Sequence, residues 1–172
     1  MSVRPARPED AERVARVQLE TWGSAYADLL PAEALDLPEE QVAAVWLGAV
    51  ESRAPRHRVL VALEGSEPVG FLATAPADDD LDPAQTAEVT SLLVLPRWGR
   101  RGHGARLLAA AVEGWRADGA ATAVCWAWER DRATRDFLVS AGWAPDGARR
   151  GLDTGAGVEP QLRLHVDVRE EG

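Results

Sequence analysis

The stretch that most restricts what this chain can fold into is Leu92-Leu93-Val94-Leu95-Pro96-Arg97-Trp98-Gly99-Arg100-Arg101-Gly102-His103-Gly104-Ala105-Arg106-Leu107-Leu108. An apolar strand runs into Pro96, which cannot donate to a sheet ladder. A turn rich in Arg and Gly follows, and then a helix on which Leu108, Ala111, Val112 and Trp115 recur at i, i+3, i+4 and i+7. This order places a helix start directly beyond a strand end. First-turn N–H groups have no intrahelical acceptor, and the aligned peptide dipoles favour negative charge there by about 0.3–2 kcal/mol. Gly102 and Gly104 let a ligand touch the main chain, and Arg100 and Arg101 add two permanent cations. The turn reads as a seat for a phosphate; the alternative is a Gly-bearing helix start with solvated arginines.

Of two common phosphate loops, one is excluded and the other is poorly matched. A Walker loop needs Lys and then Ser or Thr after its last glycine, whereas Ala105 and Arg106 follow Gly104 and the chain has no Lys. A dinucleotide fingerprint would continue Gly102-His103-Gly104 with Gly or Ala at 107, where Leu107 stands.

A chain of 172 residues, 46% hydrophobic, suits one domain over residues 1–172 that buries about 70% of its unfolded surface. No apolar run reaches membrane-spanning length and no signal-peptide core follows Met1-Ser2-Val3-Arg4, so no membrane association and a cytoplasmic location are expected. Cys125 is the only cysteine and His57, His103 and His165 are scattered, so no disulfide framework and no metal site are expected. The net charge of −9 disfavours nucleic acid as a partner. An acidic protein around a cationic loop suits an anionic cofactor and a cationic acceptor such as an amine, although acidity for solubility fits equally well.

Taken in order, Ser2 to Ala6 reads as an edge strand, and a first helix opens at Arg7-Pro8-Glu9-Asp10. Ala15, Leu19, Trp22 and Tyr26 form one stripe of that helix. A second helix carries Val42, Val45, Trp46 and Ala49. Val59–Leu63 and Val69–Thr74 form a hairpin, and Ala75 to Ala84 is an acidic loop expected to be a solvated tip. Ala87–Leu95 is the central strand, with Glu88, Thr90, Leu92 and Val94 expected on one face by period-2 alternation. Ala121–Trp128 is a further strand, Asp131 caps a helix ending at Ala141-Gly142, and Trp143–Arg150 and Leu162–Val168 finish as two strands. Strands mixed with helices give an α/β sandwich of about seven strands and about four helices.

Val94 followed by Arg100-Arg101-Gly102-His103-Gly104-Ala105 resembles motif A of the Gcn5-related N-acetyltransferases, and the resemblance extends from about Val3 to Val168. It implies a mixed, mostly antiparallel sheet splayed in its middle, with acetyl-CoA as cofactor and the residues 99 to 105 around its pyrophosphate. Gly99 stands where the family has Gln or Arg. His103 is expected beside the phosphates, and Trp98 and Trp143 near the cofactor. The resemblance further implies the Leu92 N–H as oxyanion donor and Leu93 and Val94 along pantetheine. Asp131, Thr134, Phe137, Leu138, Gly142 and Trp143 keep the register of motif B, with Asp131 and Phe137 on the cofactor. The Tyr that commonly protonates coenzyme A is Leu138 here.

Amine acetylation needs a deprotonated amine, and at neutral pH removing the proton from an alkylammonium of pKa near ~10.4 costs about 4–5 kcal/mol. Glu88 holds the position of the general base in histone-acetylating members, and a raised pKa or a water relay would suit it to that task. Tyr26 is the only tyrosine, hence the only phenol that could act as acid. The segment Thr21-Trp22-Gly23-Ser24-Ala25-Tyr26 resembles members acting on polyamines and other small amines, which makes Trp22, Tyr26 and Glu88 candidates for the acceptor site. Packing of Trp22 and Tyr26 against the second helix is the alternative. Cys125, between Val124 and Trp126, is expected to be a buried core residue. The function implied is acetyl transfer from acetyl-CoA to a primary amine of a small molecule, by direct transfer in a ternary complex. The alternative is an acyl-CoA-binding sensor or regulatory module with little turnover. A homodimer through the C-terminal strands is the assembly expected.

Overall fold

Seven strands bounded by turns are β1 (Ser2–Pro5), β2 (Arg58–Glu64), β3 (Glu67–Pro76), β4 (Thr86–Val94), β5 (Thr122–Trp128), β6 (Ala144–Asp153) and β7 (Val158–Asp167). The computed structural model describes residues 2–170; Met1, Glu171 and Gly172, part of the expected domain, lie outside the described residues. The strands make one sheet in the order β1-β2-β3-β4-β5-β7-β6, antiparallel throughout except for the parallel pair β4–β5. Five helices join them: α1 (Ala11–Ala25), the single turn α2 (Ala32–Leu35), α3 (Glu39–Glu51), α4 (His103–Ala117) and α5 (Arg132–Ser140).

Each face of the sheet has its own core. On one face Leu107, Leu108, Ala111 and Trp115 of α4 and Leu138 of α5 pack on Leu60, Leu72, Val89, Ala123, Cys125 and Leu164. On the other, Val14 and Val17 of α1 and Trp46 of α3 cover Val61, Leu63, Val69 and Phe71. Each large side chain taken fully from water contributes about 1.5–3 kcal/mol. Polar ties fix the layers: the Trp115 indole N–H donates to Thr74 Oγ1 at 2.9 Å, and Arg58 grips Asp118 at the end of α4 through two 2.6 Å bonds. The second-helix stripe holds only in part. Val42 is buried and Trp46 meets the Phe71 ring at 4.8 Å, but Val45 faces solvent.

Two features of β4 set up everything that follows. The first is a bulge: Ala73 pairs with Ser91 but Thr74 pairs with Val89, so Thr90 is an extra residue. It reverses the alternation. Ala87, Val89, Leu92 and Val94 all join the core beneath α4, and Glu88 is left on the opposite face. The expectation that Glu88, Leu92 and Val94 share a face is therefore corrected. The second feature is a split: the β4–β5 register runs from Thr86↔Thr122 to Val89↔Cys125, and β4 then continues to Val94 without a partner on that side.

Candidate active site

The split frees backbone donors. The Leu95 N–H donates to Val69 O of β3 at 2.9 Å, so by alternation the Leu93 N–H also faces β3, and those of Leu92 and Val94 point into the opening. Beyond Pro96 the chain makes a short 3₁₀ turn through Trp98 and enters α4 through Arg100 at φ 60° and Gly102 at φ 85°. These two left-handed residues aim the first-turn amides of His103, Gly104 and Ala105 outward, where they have no acceptor among the described residues. Gly104 is needed for a second reason. A Cβ there would sit 2.9 Å from the Phe137 ring, which closes over the turn from α5.

Leu92, Val94, Trp98, Gly99, Arg100, Gly102, Gly104, Ala105 and Phe137 thus line a groove of about 440 Å³ between the β4 end, the α4 start and α5. That is the size of an ordinary ligand cleft. Five expected contacts lie elsewhere. Leu93 alternates to the α1 face and packs with Phe71 and Val69. Arg101 turns back to lay its guanidinium 4.8 Å above the Trp98 ring. His103 opens α4 and its backbone borders the groove, but its ring is fully buried, with Nε2 3.2 Å from Glu64 Oε1. Trp143 is buried against Trp115, with ring centroids 6.4 Å apart.

Asp131 is the fifth. Its Oδ1 accepts the Thr134 N–H at 3.1 Å as the cap of α5, and its Oδ2 accepts the hydroxyls of Tyr26 and Thr134, each at 2.6 Å. The carboxylate is consumed by these bonds instead of facing an anion. Burial and the Asp131 charge push the Tyr26 phenol upward, so its proton is held more firmly than in a free tyrosine. Leu138, at the position of the family's usual tyrosine, is fully buried in the core. Trp22, half-buried near the end of α1, lines neither this groove nor the cavity beside Tyr26.

The opposite face of the split carries side chains. Ala123, Cys125 and Ala127 lie in the core under α4, so Val124, Trp126 and Trp128 point the other way, with Glu88 beside Val124. The register adds Arg163 opposite Trp126, Gln161 opposite Trp128, and Arg150 opposite Gln161. Glu88 Oε1 is buried with no hydrogen-bond partner among the described residues. Burial, then the charges of Asp78 and Asp79, push the Glu88 carboxyl above its ordinary value, against the opposing pull of Arg150 and Arg163. The acidic loop is accordingly no mere tip: Asp79 accepts the Trp126 indole N–H at 2.9 Å and lies 3.5 Å from Arg163. Cys125 is fully buried and its thiol is pushed up to about 12, leaving it neutral and inert.

A split parallel pair beside a helix start with unpaired first-turn amides is a specific geometry, and a model of the acetyltransferase (GNAT) family matches residues 16–143, well over half of the chain. The chain belongs to the GNAT family of acetyltransferases. Solved GNAT folds superpose over nearly its full length. The PaiA N-acetyltransferase of Thermoplasma acidophilum, in complex with coenzyme A, aligns with a TM-score of 0.78 at 18% identity, covering 96% of this chain and 98% of its own. YncA of Salmonella typhimurium, solved with its cofactor acetyl-CoA, gives 0.76 at 17%, covering 100% and 96%. The ribosomal-protein-alanine N-acetyltransferase of Brucella melitensis gives 0.74 at 18%, covering 97% and 99%. No curated protein sequence matches the chain. Among the described residues no helix is long and apolar enough to cross a membrane.

Sequence reasoning missed the Trp126–Arg150–Arg163–Asp79 cluster altogether. The aromatic alternation of Trp126 and Trp128 was its one visible signal, and the partners come from three other segments.

Proposed function

We propose that this chain is an acetyl-CoA-dependent N-acetyltransferase that acetylates the primary amine of a small molecule by direct transfer in a ternary complex. The observation that carries this is the split beyond Val89 and Cys125, which leaves the Leu92 and Val94 amides facing an opening that ends on the unpaired first turn of α4. The groove fits a diphosphate at one end and an extended chain along β4. Coenzyme A or acetyl-CoA bound to the solved relatives supports the same reading. Bound there, acetyl-CoA supplies an activated acyl carbon and a thiolate leaving group.

The residues of this chain do the rest. The amides of His103, Gly104 and Ala105, with Arg100, hold the diphosphate; Gly99 places no side chain in the way, so its departure from the family pattern leaves the main-chain seat intact. The Leu92 N–H donates to the carbonyl oxygen as charge develops there; removing one such donor typically costs 10²–10³ in rate. Glu88, through one water, takes the proton that the amine must shed as its nitrogen bonds to the acyl carbon and the C–S bond breaks. Its raised pKa makes it a better acceptor than an exposed glutamate. A thiol of pKa near ~8.5 leaves as thiolate at modest cost, so a phenol acid is dispensable. Tyr26, its proton committed to Asp131, acts as a strut between α1 and α5.

The buried Leu138 and the engaged Tyr26 favour one second reading, an acyl-CoA-binding module with little turnover. Coenzyme A release measured over a panel of amines decides between them. Release above the hydrolysis background supports the transferase, and tight acetyl-CoA binding without release from any amine supports the module.

A further inference from the structure

Arg150 and Arg163 lie side by side over Trp126, yet their surroundings differ. Arg163 is saturated by carboxylates: its Nε donates to Asp146 at 2.6 Å and its Nη1 to Asp80 at 3.4 Å, with Asp79 at 3.5 Å. Arg150 is held only from behind. Its Nε donates to Gln161 Oε1 at 2.8 Å, and its guanidinium lies 4.2 Å above the Trp126 ring. The nearest carboxylate oxygen, Asp79 Oδ1, is 4.0 Å from Nη1, outside hydrogen-bond reach, and Asp79 is held in place through its Oδ2 by Trp126 and Arg163. Among the described residues the Nη1 and Nη2 groups of Arg150 have no hydrogen-bond acceptor. A planar fork pinned along one edge and stacked on one face, with its far end open, is preorganised for two parallel bonds to a carboxylate.

The position of this fork matters as much as its freedom. Trp126 is two residues along β5 from Val124, the register partner of Glu88, so its backbone lies roughly 8 Å from that of Glu88, one strand across and two residues along. Glu88 and Trp126 present their side chains on the same face of the sheet, so a short molecule lying on that face meets Glu88 at one end and the fork at the other. Arg150 also acts electrostatically on Glu88, which requires the two to be near each other. A second cation on the acceptor would meet an open guanidinium, while Asp79, Asp80 and Asp146 are already engaged by Arg163.

We propose that Arg150 is a specificity-determining residue that receives an anionic group of the acceptor, so that the acceptor is a small amine bearing a carboxylate a few bonds from its nitrogen. This rests on the N-acetyltransferase reading above. The amine end faces Glu88, the carboxylate end faces the fork, and Trp126 sets the distance between them. Gln161 is a positioning residue, because it touches only the Nε edge of Arg150.

The test measures coenzyme A release with matched α-amino acids and their α-amides, and with a simple diamine, for the wild type, Arg150→Met and Arg150→Lys. The acids are expected to outperform both the amides and the diamine. Arg150→Met is expected to shrink the acid-to-amide ratio of kcat/KM about tenfold or more, chiefly through KM, as loss of a charge-assisted bidentate pair requires. Arg150→Lys, which keeps the charge over Trp126 and loses the fork, is expected to fall between and keeps the test decisive if the Met variant does not fold. A wild type that favours the amides or the diamine, or a ratio unchanged in the folded variants, overturns the proposal while leaving the transferase intact. Absence of release with every amine overturns the transferase reading and this one with it.

Discussion

The two sides of the split between β4 and β5 are made of different material. Toward α4 the groove is built from main chain: amides at Leu92, Val94, His103, Gly104 and Ala105, with glycine at 99, 102 and 104. Toward α1 the surface is built from side chains: Glu88, Trp126, Arg150, Arg163 and Gln161, roofed by Asp79. A site of backbone amides tolerates side-chain change and needs only the right turn, so Gly99 can stand where the family pattern has Gln or Arg without filling the groove. A site of side chains is set residue by residue and can be retuned by a single substitution. The Thr90 bulge lets one strand serve both, turning Glu88 to one face while Leu92 and Val94 face the other.

The sharpest way to break this division is Glu88→Gln. On the side-chain face it should lower turnover about 10²-fold or more while leaving acetyl-CoA affinity within twofold, the range expected for loss of a general base. A steady-state rate and a calorimetric Kd together check it. The same substitution carries a stability sign. The folded-state pKa of Glu88 is raised, so its stabilising contribution is complete below the unfolded pKa and is lost as pH rises through the folded one. At neutral pH the Gln variant should therefore melt higher than the wild type. A variant that is slower and less stable would argue that Glu88 is merely structural.

On the main-chain face, Gly104→Val should weaken acetyl-CoA binding about tenfold to a hundredfold, because the added carbons meet the Phe137 ring and overpacking costs about 1–3 kcal/mol. Its effect on kcat at saturation should be small by comparison. Arg101→Ala tests how far side chains matter on this side. With its guanidinium over Trp98, the change should weaken coenzyme A only about twofold to fivefold, a cation–π contribution at an exposed site. A loss as large as that of Gly104→Val would mean that cations, and not amides, grip the phosphates. The smallest effect is expected from Asp78→Asn. Removing a negative charge that raises Glu88 should move the acidic limb of the kcat/KM profile to lower pH, with the plateau rate unchanged. A shift to higher pH would contradict the base assignment.

The same division governs what could be read from the residues alone. The strand–turn–helix that frames the groove was legible because its signal is contiguous: strand, Pro96, glycine turn and α4 lie within one short stretch. Element order was legible for the same reason, down to the Asp131 cap and the Gly142 stop. What escaped needed long-range pairing. One extra residue at Thr90 inverts the face of Glu88, and nothing in Glu88-Val89-Thr90-Ser91 announces a bulge. Asp131 was assigned to the cofactor because the spacing of motif B is local, whereas its partner Tyr26 lies 105 residues away. The acidic loop looked like a solvated tip because Trp126, Arg150 and Arg163, which hold it, come from three later strands.

The central claim is that backbone amides hold the cofactor, and amide hydrogen exchange read with and without acetyl-CoA reports on it most directly. Added acetyl-CoA is expected to protect the amides of Leu92, Val94, His103, Gly104 and Ala105 while leaving the exposed acidic loop around Asp80 unchanged. Acetyl-CoA binding that protects none of these five amides, with protection confined to other segments, would contradict it.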